Sequence, residues 1–436
     1  MTRSTRPDKL LRAIRQIAEI GENHLDAALS LKLWDGSYVP LGRGASQGLA
    51  VVIADPGVIP SLLRWPTLDR VIQLYIHGKI DFEGGTLIDI ARSFETKSRR
   101  KRFKQLPKLK FIKALLPFLT APAVRLERLH SFDGDQVGKN TKTRNQEKYI
   151  QFHYDVSNEF YQLFLDEAMV YTCAYFTNRE NTLEQAQYDK LEMICRKLRL
   201  QKGDRFLDIG SGWGALICHA AKYHGVRAHG VTLSTGQYEY TVELIQREKL
   251  DDLVTVELKD YLDVGQTFDK IASIGMYEAI GVAAIPDYLH KVHSLLAPGG
   301  LFLNHGITRR SKRRKTRFSS RPEQRALVRY IFPGGELDDI GHTLEKIQQE
   351  KLEIHDVEGW REHYALTTRI WCERLTARKT EAIALVGEET YRIWVAYLAG
   401  CSLAFTRGSA QIFQTLTSNT SRGPVALPPT RADLYR

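Results

Sequence analysis

The chain lacks any run of about 18 apolar residues. Its most apolar segment, Leu49–Leu63, is cut by Asp55, Pro56 and Pro60. A membrane-spanning helix is therefore excluded. The opening MTRSTRPDKLLRAIRQIAEI interleaves charge with apolar residues and has no uninterrupted apolar core, so it does not read as a signal peptide. Cysteine is scarce and unpaired in pattern. Cys173, Cys195, Cys218, Cys372 and Cys401 are odd in number and contain no CxxC. Neither a disulfide framework nor a structural zinc site is expected, and no bound metal is expected either. A reducing, cytoplasmic setting follows. There is no internal repeat that would indicate a solenoid.

What is present is a globular composition, 43% hydrophobic and 26% charged over 436 residues. That length favours two domains over one. The formal charge of +11 is unevenly spread. Lys97–Lys113 holds nine basic residues and Arg309–Arg321 holds eight, with no acid in either run. Outside these runs the chain is net negative by six. A mildly acidic body with two basic patches seeks phosphate, in nucleic acid or in anionic lipid. The runs lack RNP-like aromatic motifs, so nucleic acid is not expected as a partner. The first run grades into Phe111, Ile112, Ala114, Leu115 and Leu116. Basic and apolar residues interleaved in this way suit a helix lying at a membrane interface, against the alternative of a solvated linker.

Apolar spacing near 3.6 makes residues 8–34 read as a helix. The polar stretch 131–147 is the best boundary candidate. Eight Phe or Tyr residues follow between Phe152 and Phe176. Phe152, Val156, Phe160 and Phe164 recur on one face of an expected helix. From residue 203 strands alternate with helices, the helix at 234 opened by Ser-x-x-Gln. Such alternation means an α/β fold with a parallel sheet covered on both faces. Beyond residue 320 the chain is expected to be mostly helical, with a loose tail.

The sharpest motif is Phe206-Leu207-Asp208-Ile209-Gly210-Ser211-Gly212-Trp213-Gly214. Here a strand enters a glycine-rich turn that opens a helix, and glycines permit positive φ and close backbone approach to a ligand. Gly210, Gly212 and Ala215 can be fitted to a nicotinamide fingerprint, but the acid that fingerprint needs is missing where the second strand ends, at Val231-Thr232-Leu233-Ser234. The S-adenosylmethionine (SAM) version places an acid two residues before the first glycine, as Asp208 is placed. Its carboxylate lies near the cationic end of that cofactor, and the loop reads as a methyltransferase.

Seven segments in order then resemble the cyclopropane-fatty-acyl-phospholipid synthase family, related to the mycolic acid methyltransferases. They are HYDVSN at 153 with Tyr171-Thr172-Cys173-Ala174-Tyr175-Phe176, the glycine loop, and Gly230–Ser234 with Gln237. Ser273–Glu278, His305-Gly306-Ile307, Tyr330–Gly335 and His363–Thr367 complete the set. The resemblance runs from about Tyr149 to Gln414. It implies a class I SAM-dependent methyltransferase, Rossmann-like, with a mostly parallel seven-stranded sheet and a smaller N-terminal α+β domain. The implied division is 1–135 lipid- or membrane-associated, 136–420 catalytic with helical insertions covering the substrate, and 421–436 tail.

The same resemblance implies residue roles. Tyr171 and Thr172 contact SAM, with Asp208, Gly210, Ser211, Gly212, Trp213 and Gly214 beneath it. Thr232, Leu233, Ser234 and Gln237 line its ribose and methionine side, and Asp260 and Tyr261 flank the adenine. A bicarbonate ion is held by Cys173, Gly275, Glu278, His305 and Tyr364 with the Ile307 backbone, and acts as the base. Tyr175, Phe176 and Tyr277 are candidates to stabilise a carbocation. Cys401 stands where the family has a cysteine once regarded as a nucleophile. The implied reaction carries the methyl of SAM to the cis double bond of unsaturated acyl chains in membrane phospholipids and closes a cyclopropane ring. The implied partner is an anionic membrane surface, with peripheral placement on its inner face. A homodimer stays open beside a monomer.

Two departures from the family pattern bear on the product. Ala279 stands where a histidine commonly follows the active-site glutamate, and the flanks of His305 are unusual. A methyl- or methylene-branching C-methyltransferase therefore remains an alternative, as does a methyltransferase of another substrate class.

Overall fold

The computed structural model describes residues 6–24, 28–42, 45, 48–93, 107–127, 129, 156–311, 330–331, 335–419 and 427–435. The polar boundary at 131–147, His153-Tyr154-Asp155, Phe332–Gly334 and most of both basic runs lie outside the described residues. The described chain divides into two compact units.

The first unit begins with α1 (Arg6–His24), β1 (Ser30–Lys32), β2 (Tyr38–Pro40) and β3 (Ala50–Ile53). It continues with α2 (Val58–Arg64), α3 (Leu68–Ile76), β4 (Ile80–Glu83), α4 (Leu87–Ser93) and α5 (Lys108–Leu119). The helix expected over 8–34 stops at His24, and residues 30–32 are strand. Leu31 and Leu33 there join the same core as Leu10 and Ile14. The sheet order is β2-β1-β3-β4, with β1 and β3 parallel and the other pairs antiparallel.

The second unit holds α6 (Asn158–Gln162), α7 (Leu183–Lys197), β5 (Arg205–Ile209), α8 (Ala215–His224), β6 (Arg227–Thr232) and α9 (Thr235–Glu248). It continues with β7 (Val254–Leu258), β8 (Phe268–Ile274), α10 (Tyr277–Ile280), α11 (Ile285–Leu295) and β9 (Leu296–Arg309). Along the chain there follow α12 (Ile340–Gln349), β10 (Leu352–Gly359) and most of α13 (Arg361–Ala377) in this unit, then α14 (Lys379–Thr406), and again in this unit β11 (Ala410–Asn419). Most of α14 belongs to the first unit, as does the end of α13. Buried Arg392 of α14 explains this. It ion-pairs with Asp81 at 2.8 Å, donates to the Tyr75 carbonyl at 3.2 Å and lies over the Tyr75 ring. The described residues therefore do not divide at a single cut near 135.

The second sheet runs β10-β11-β9-β8-β5-β6-β7, parallel from β9 to β7, with β11 antiparallel to both of its neighbours. This is the class I methyltransferase arrangement. Core packs on both faces, around Phe206, Ile217 and Ala272 on one and Leu207, Ile271 and Phe302 on the other. Neighbouring residues of one strand thus serve opposite cores, as a doubly covered parallel sheet requires.

Three further sequence expectations change. Strands β10 and β11 interrupt the mostly helical run expected beyond 320. Among the described residues the aromatic stretch is helical over α6 alone, Phe152 lying outside them, and Phe160 and Phe164 still pack edge to face at 5.8 Å. The described tail, expected to be loose, is anchored. Leu434 is buried, and Asp433 and Arg431 ion-pair with Arg199 and Asp356.

Candidate active site

The glycine loop leaves the carboxyl end of β5, the usual place for a ligand in an α/β sheet. Gly210, Gly212 and Gly214 all take positive φ. The Gly210 and Ser211 N–H groups both donate to the Val231 carbonyl at 3.0 Å, folding the turn against β6. A Cβ on Gly210 would stand 3.2 Å from Met276. The loop opens a cleft lined by Tyr171, Thr172, Asp208, Gly210, Ser211, Gly212 and Trp213. Across it lie Thr232, Leu233, Gln237, Tyr261, Gly275 and Ala279.

Three expected cofactor residues have other duties. Gly214 is the left-handed cap of α8, and Asp260 caps a short turn by accepting from Leu262 N–H at 3.0 Å. Ser234 caps α9 by accepting from Gln237 N–H. The capping box is half made, because the Gln237 side chain turns instead to the Thr232 hydroxyl, which donates to its Oε1 at 2.8 Å. Trp213 also braces the loop, its indole donating to Asn158 at 2.8 Å.

Beneath the cleft lies a charge that the sequence reading missed. Lys190 of α7 is buried, and its ammonium donates to the Thr172 hydroxyl at 2.9 Å. Burial pulls Lys190 down to about 8, while Asp166, Cys173 and Asp208 pull it upward. Burial pushes the Asp208 carboxyl up to about 7 against the opposing pull of Lys190. Asp208 Oδ1 is buried with no hydrogen-bond partner among the described residues. A buried carboxylate oxygen without a partner is costly, and the cationic amine and sulfonium of SAM suit it. The glycine cradle and this oxygen together fit the cofactor.

Next to the cleft the structure brings several expected catalytic residues together. Ile307 N–H donates to Glu278 Oε1, and Gly275 N–H donates to the His305 carbonyl at 2.8 Å. Gly275 has positive φ, and a Cβ there would strike Thr172 at 2.8 Å. Burial pushes the Glu278 carboxyl up to about 7. Burial lowers His305 well below its ordinary value, helped by the charges of Lys190 and Lys197 and by His363.

Trp360, also missed, is the centre of this group. Its carbonyl accepts from the Cys173 thiol at 3.9 Å and from Tyr364 N–H at 3.1 Å. Its ring meets His305 edge to face at 5.0 Å and lies 4.7 Å from Tyr175. The Cys173 thiol is raised well above its ordinary value by burial, so it stays protonated and offers backbone and packing. Tyr277 is core rather than substrate wall, its hydroxyl tied to Asp338 and Thr343. Cys401 belongs to the other unit, and burial pushes its thiol up to about 12. It is not a resting nucleophile.

Cys195, His219 and His224 also approach one another within 4.8 Å. Both imidazoles already meet Glu192, at 3.3 and 3.0 Å, and burial raises the Cys195 thiol well above its ordinary value. The cluster is accounted for without a metal.

The sequence profile of the mycolic acid cyclopropane synthetase family matches residues 141–415. The chain belongs to this family. A "probable fatty acid methyltransferase" of Pseudomonas putida is 37% identical over 417 residues, 94% of this chain and 97% of that one. A "probable fatty acid methyltransferase" of Mycobacterium tuberculosis is 44% identical over 291 residues, 66% of each chain. Among solved structures, the mycolic acid cyclopropane synthase CmaA1 complexed with SAH and CTAB superposes with a TM-score of 0.60. It is 32% identical and covers 64% of this chain and 99% of its own. This member of the family is therefore a SAM-dependent methyltransferase of the group that acts on lipids, with SAM as methyl donor.

Proposed function

We propose that the enzyme transfers the methyl(ene) group of SAM to the cis double bond of unsaturated acyl chains in membrane phospholipids and closes a cyclopropane ring. The observation that carries this reading is the pairing of buried Glu278 with the Ile307 N–H, together with an Nε2 of buried His305 that has no partner among the described residues, beside the cofactor cleft. An alkene is a weak nucleophile and needs a dry, aligned site. SAM supplies the electrophilic methyl. Asp208 and the glycine loop would hold its charged end, and Thr172, positioned by Lys190, closes the wall beside Gly275.

Addition to the alkene leaves positive charge on carbon, and ring closure requires a proton to leave the added methyl. The rings of Tyr175, Phe176 and Trp360 gather around His363, and aromatic faces attract cations. The donor set fits bicarbonate as the base. His305 has a buried nitrogen without a partner among the described residues, and Glu278 Oε1 is already committed to Ile307. The rest of that carboxyl would receive the bicarbonate hydroxyl. Cys173, Gly275 and Tyr364 would complete the enclosure.

The phospholipid reading draws on the first unit. On α5, Ala114 and Phe118 are buried, while Leu109, Ile112, Leu116 and Leu119 are exposed, Leu109 at 78%. Their spacing places all four on about a quarter of the helix circumference, flanked by Lys108 and Lys113. An apolar stripe edged with lysine suits the surface of an anionic bilayer. Lipid mass spectrometry of cells expressing the chain tests the proposal. A gain of about 14 mass units on unsaturated phospholipid acyl chains, with upfield cyclopropane protons, supports it. A gain with vinylic methylene protons favours branching instead. Unchanged phospholipids with methylated small molecules overturn it.

A further inference from the structure

His305 Nε2 has no hydrogen-bond partner among the described residues, but Nδ1 does: the Gln414 amide nitrogen lies 3.3 Å away. The strand register explains the meeting, since Gln414 on β11 pairs directly with His305 on β9. The orientation of the Gln414 amide is determined by its other neighbour. Lys197 lies 2.7 Å from Gln414 Oε1. An ammonium has only donors, so the atom facing it must be the amide oxygen, and the NH2 must face His305. Lys197 itself is fixed. It is buried, hydrogen-bonded to Glu358, and sits 5.3 Å from the centre of the Trp360 ring.

An amide NH2 can only donate, so His305 Nδ1 must accept. A neutral imidazole that accepts at Nδ1 carries its proton on Nε2. We infer that Lys197 and Gln414 are positioning residues that lock His305 as its Nε2–H tautomer, a neutral donor to the anion at the active site. The ligand in this inference rests on the proposed bicarbonate reading, whereas the tautomer does not.

Burial acts most strongly on His305, and the charged and titratable groups Lys190, Lys197 and His363 add to it. All favour the neutral ring. The chemical consequence is a division of labour. With its proton on Nε2, His305 cannot take the proton that leaves the added methyl. It can only donate, so the proton must leave to another group, a role that the proposed bicarbonate would fill.

The test is nitrogen NMR of the full-length protein labelled with 15N-histidine, with His305 assigned by difference against His305→Gln. The expected pattern at neutral pH is a protonated Nε2 and an unprotonated Nδ1. Gln414→Glu replaces the donor with an acceptor and should invert the pattern. Gln414→Leu removes the lock and should give a mixture, which covers the case in which the first variant does not fold. Inversion should also weaken 13C-bicarbonate binding by about 10-fold or more, the loss of one hydrogen bond to a charged ligand, with SAM affinity unchanged. A parent Nε2 found unprotonated, or a pattern indifferent to a folded Gln414 variant, overturns the inference. If the parent shows the expected tautomer but bicarbonate leaves the His305 signals unmoved, the anion assignment fails and the tautomer lock stands.

Discussion

Lys190→Met is the most informative single change, because its effect should depend on pH in a calculable way. Methionine keeps the length and the apolar stem but removes the ammonium beneath the cleft. In the parent, Asp208 has a carboxyl near 7 even with Lys190 pulling it down. Without that charge the carboxyl rises further. Each unit of rise is worth about 1.4 kcal/mol. If ionised Asp208 is the form that holds cationic SAM, affinity climbs as pH rises through the Asp208 value. At pH 7 a rise of one unit reduces the ionised fraction from about one half to about one tenth, a loss of roughly five-fold in affinity. At pH 9 the gap should close. Asp208 is ionised in both proteins there, and Lys190, itself lowered to about 8, has lost its charge in the parent. Calorimetric SAM titrations from pH 6 to 9 provide the comparison. Two pH profiles that run parallel, with a fixed offset at every pH, would refute the electrostatic role and leave Lys190 as a structural tie to Thr172.

Gly210→Val should cost SAM binding about 5-fold or more, because the turn must shift to relieve strain of about 1–3 kcal/mol at φ 78°, where the Cβ also meets Met276 at 3.2 Å. Calorimetry on the folded variant reads the loss. Glu278→Gln should lower turnover by roughly 100-fold or more, with SAM affinity little changed, as for removal of a positioned base system; radiolabel transfer assays distinguish the two. Replacing Lys108, Lys110 and Lys113 with Gln should weaken binding to anionic vesicles by up to about 3 kcal/mol at low salt and barely affect zwitterionic ones. Co-sedimentation across a salt series measures it, while activity on detergent-dispersed lipid should persist.

The parts of the fold that could be read from sequence are those that local chemistry specifies. Gly210, Gly212 and Gly214 occupy positive φ, so the turn was written in residue type, and Asp208 two places earlier identified the ligand class. Strands β5 to β9 followed from apolar runs between helices. Strand β10, LEIHDVEG, is illegible in the sequence because it is acidic and half-exposed, with little apolar pattern to set against a helix. The first unit's claim on Leu375–Leu403 was equally hidden, since it depends on Arg392 reaching Asp81 311 residues away. Lys190 carries no signal by itself, because a lysine in an amphipathic helix normally reads as solvent-facing. One signal was available: Leu183, Gln187, Lys190 and Ile194 share a helical face, and all are buried. Trp360 and Gln414 act through backbone pairing and strand register, which no local motif displays. On α5 the mixture of lysine and leucine was visible, but which leucines faced outward depended on Ala114 and Phe118 taking the core side.

The most direct test of the central claim uses purified protein, SAM carrying a 13C-methyl group, and vesicles of an unsaturated anionic phospholipid. The account expects the label to appear in the ring methylene of a cyclopropane within the intact phospholipid, at the position of the former double bond. Label found only on a nitrogen or oxygen atom, only in free fatty acid, or in no lipid at all while SAM is consumed, would contradict it.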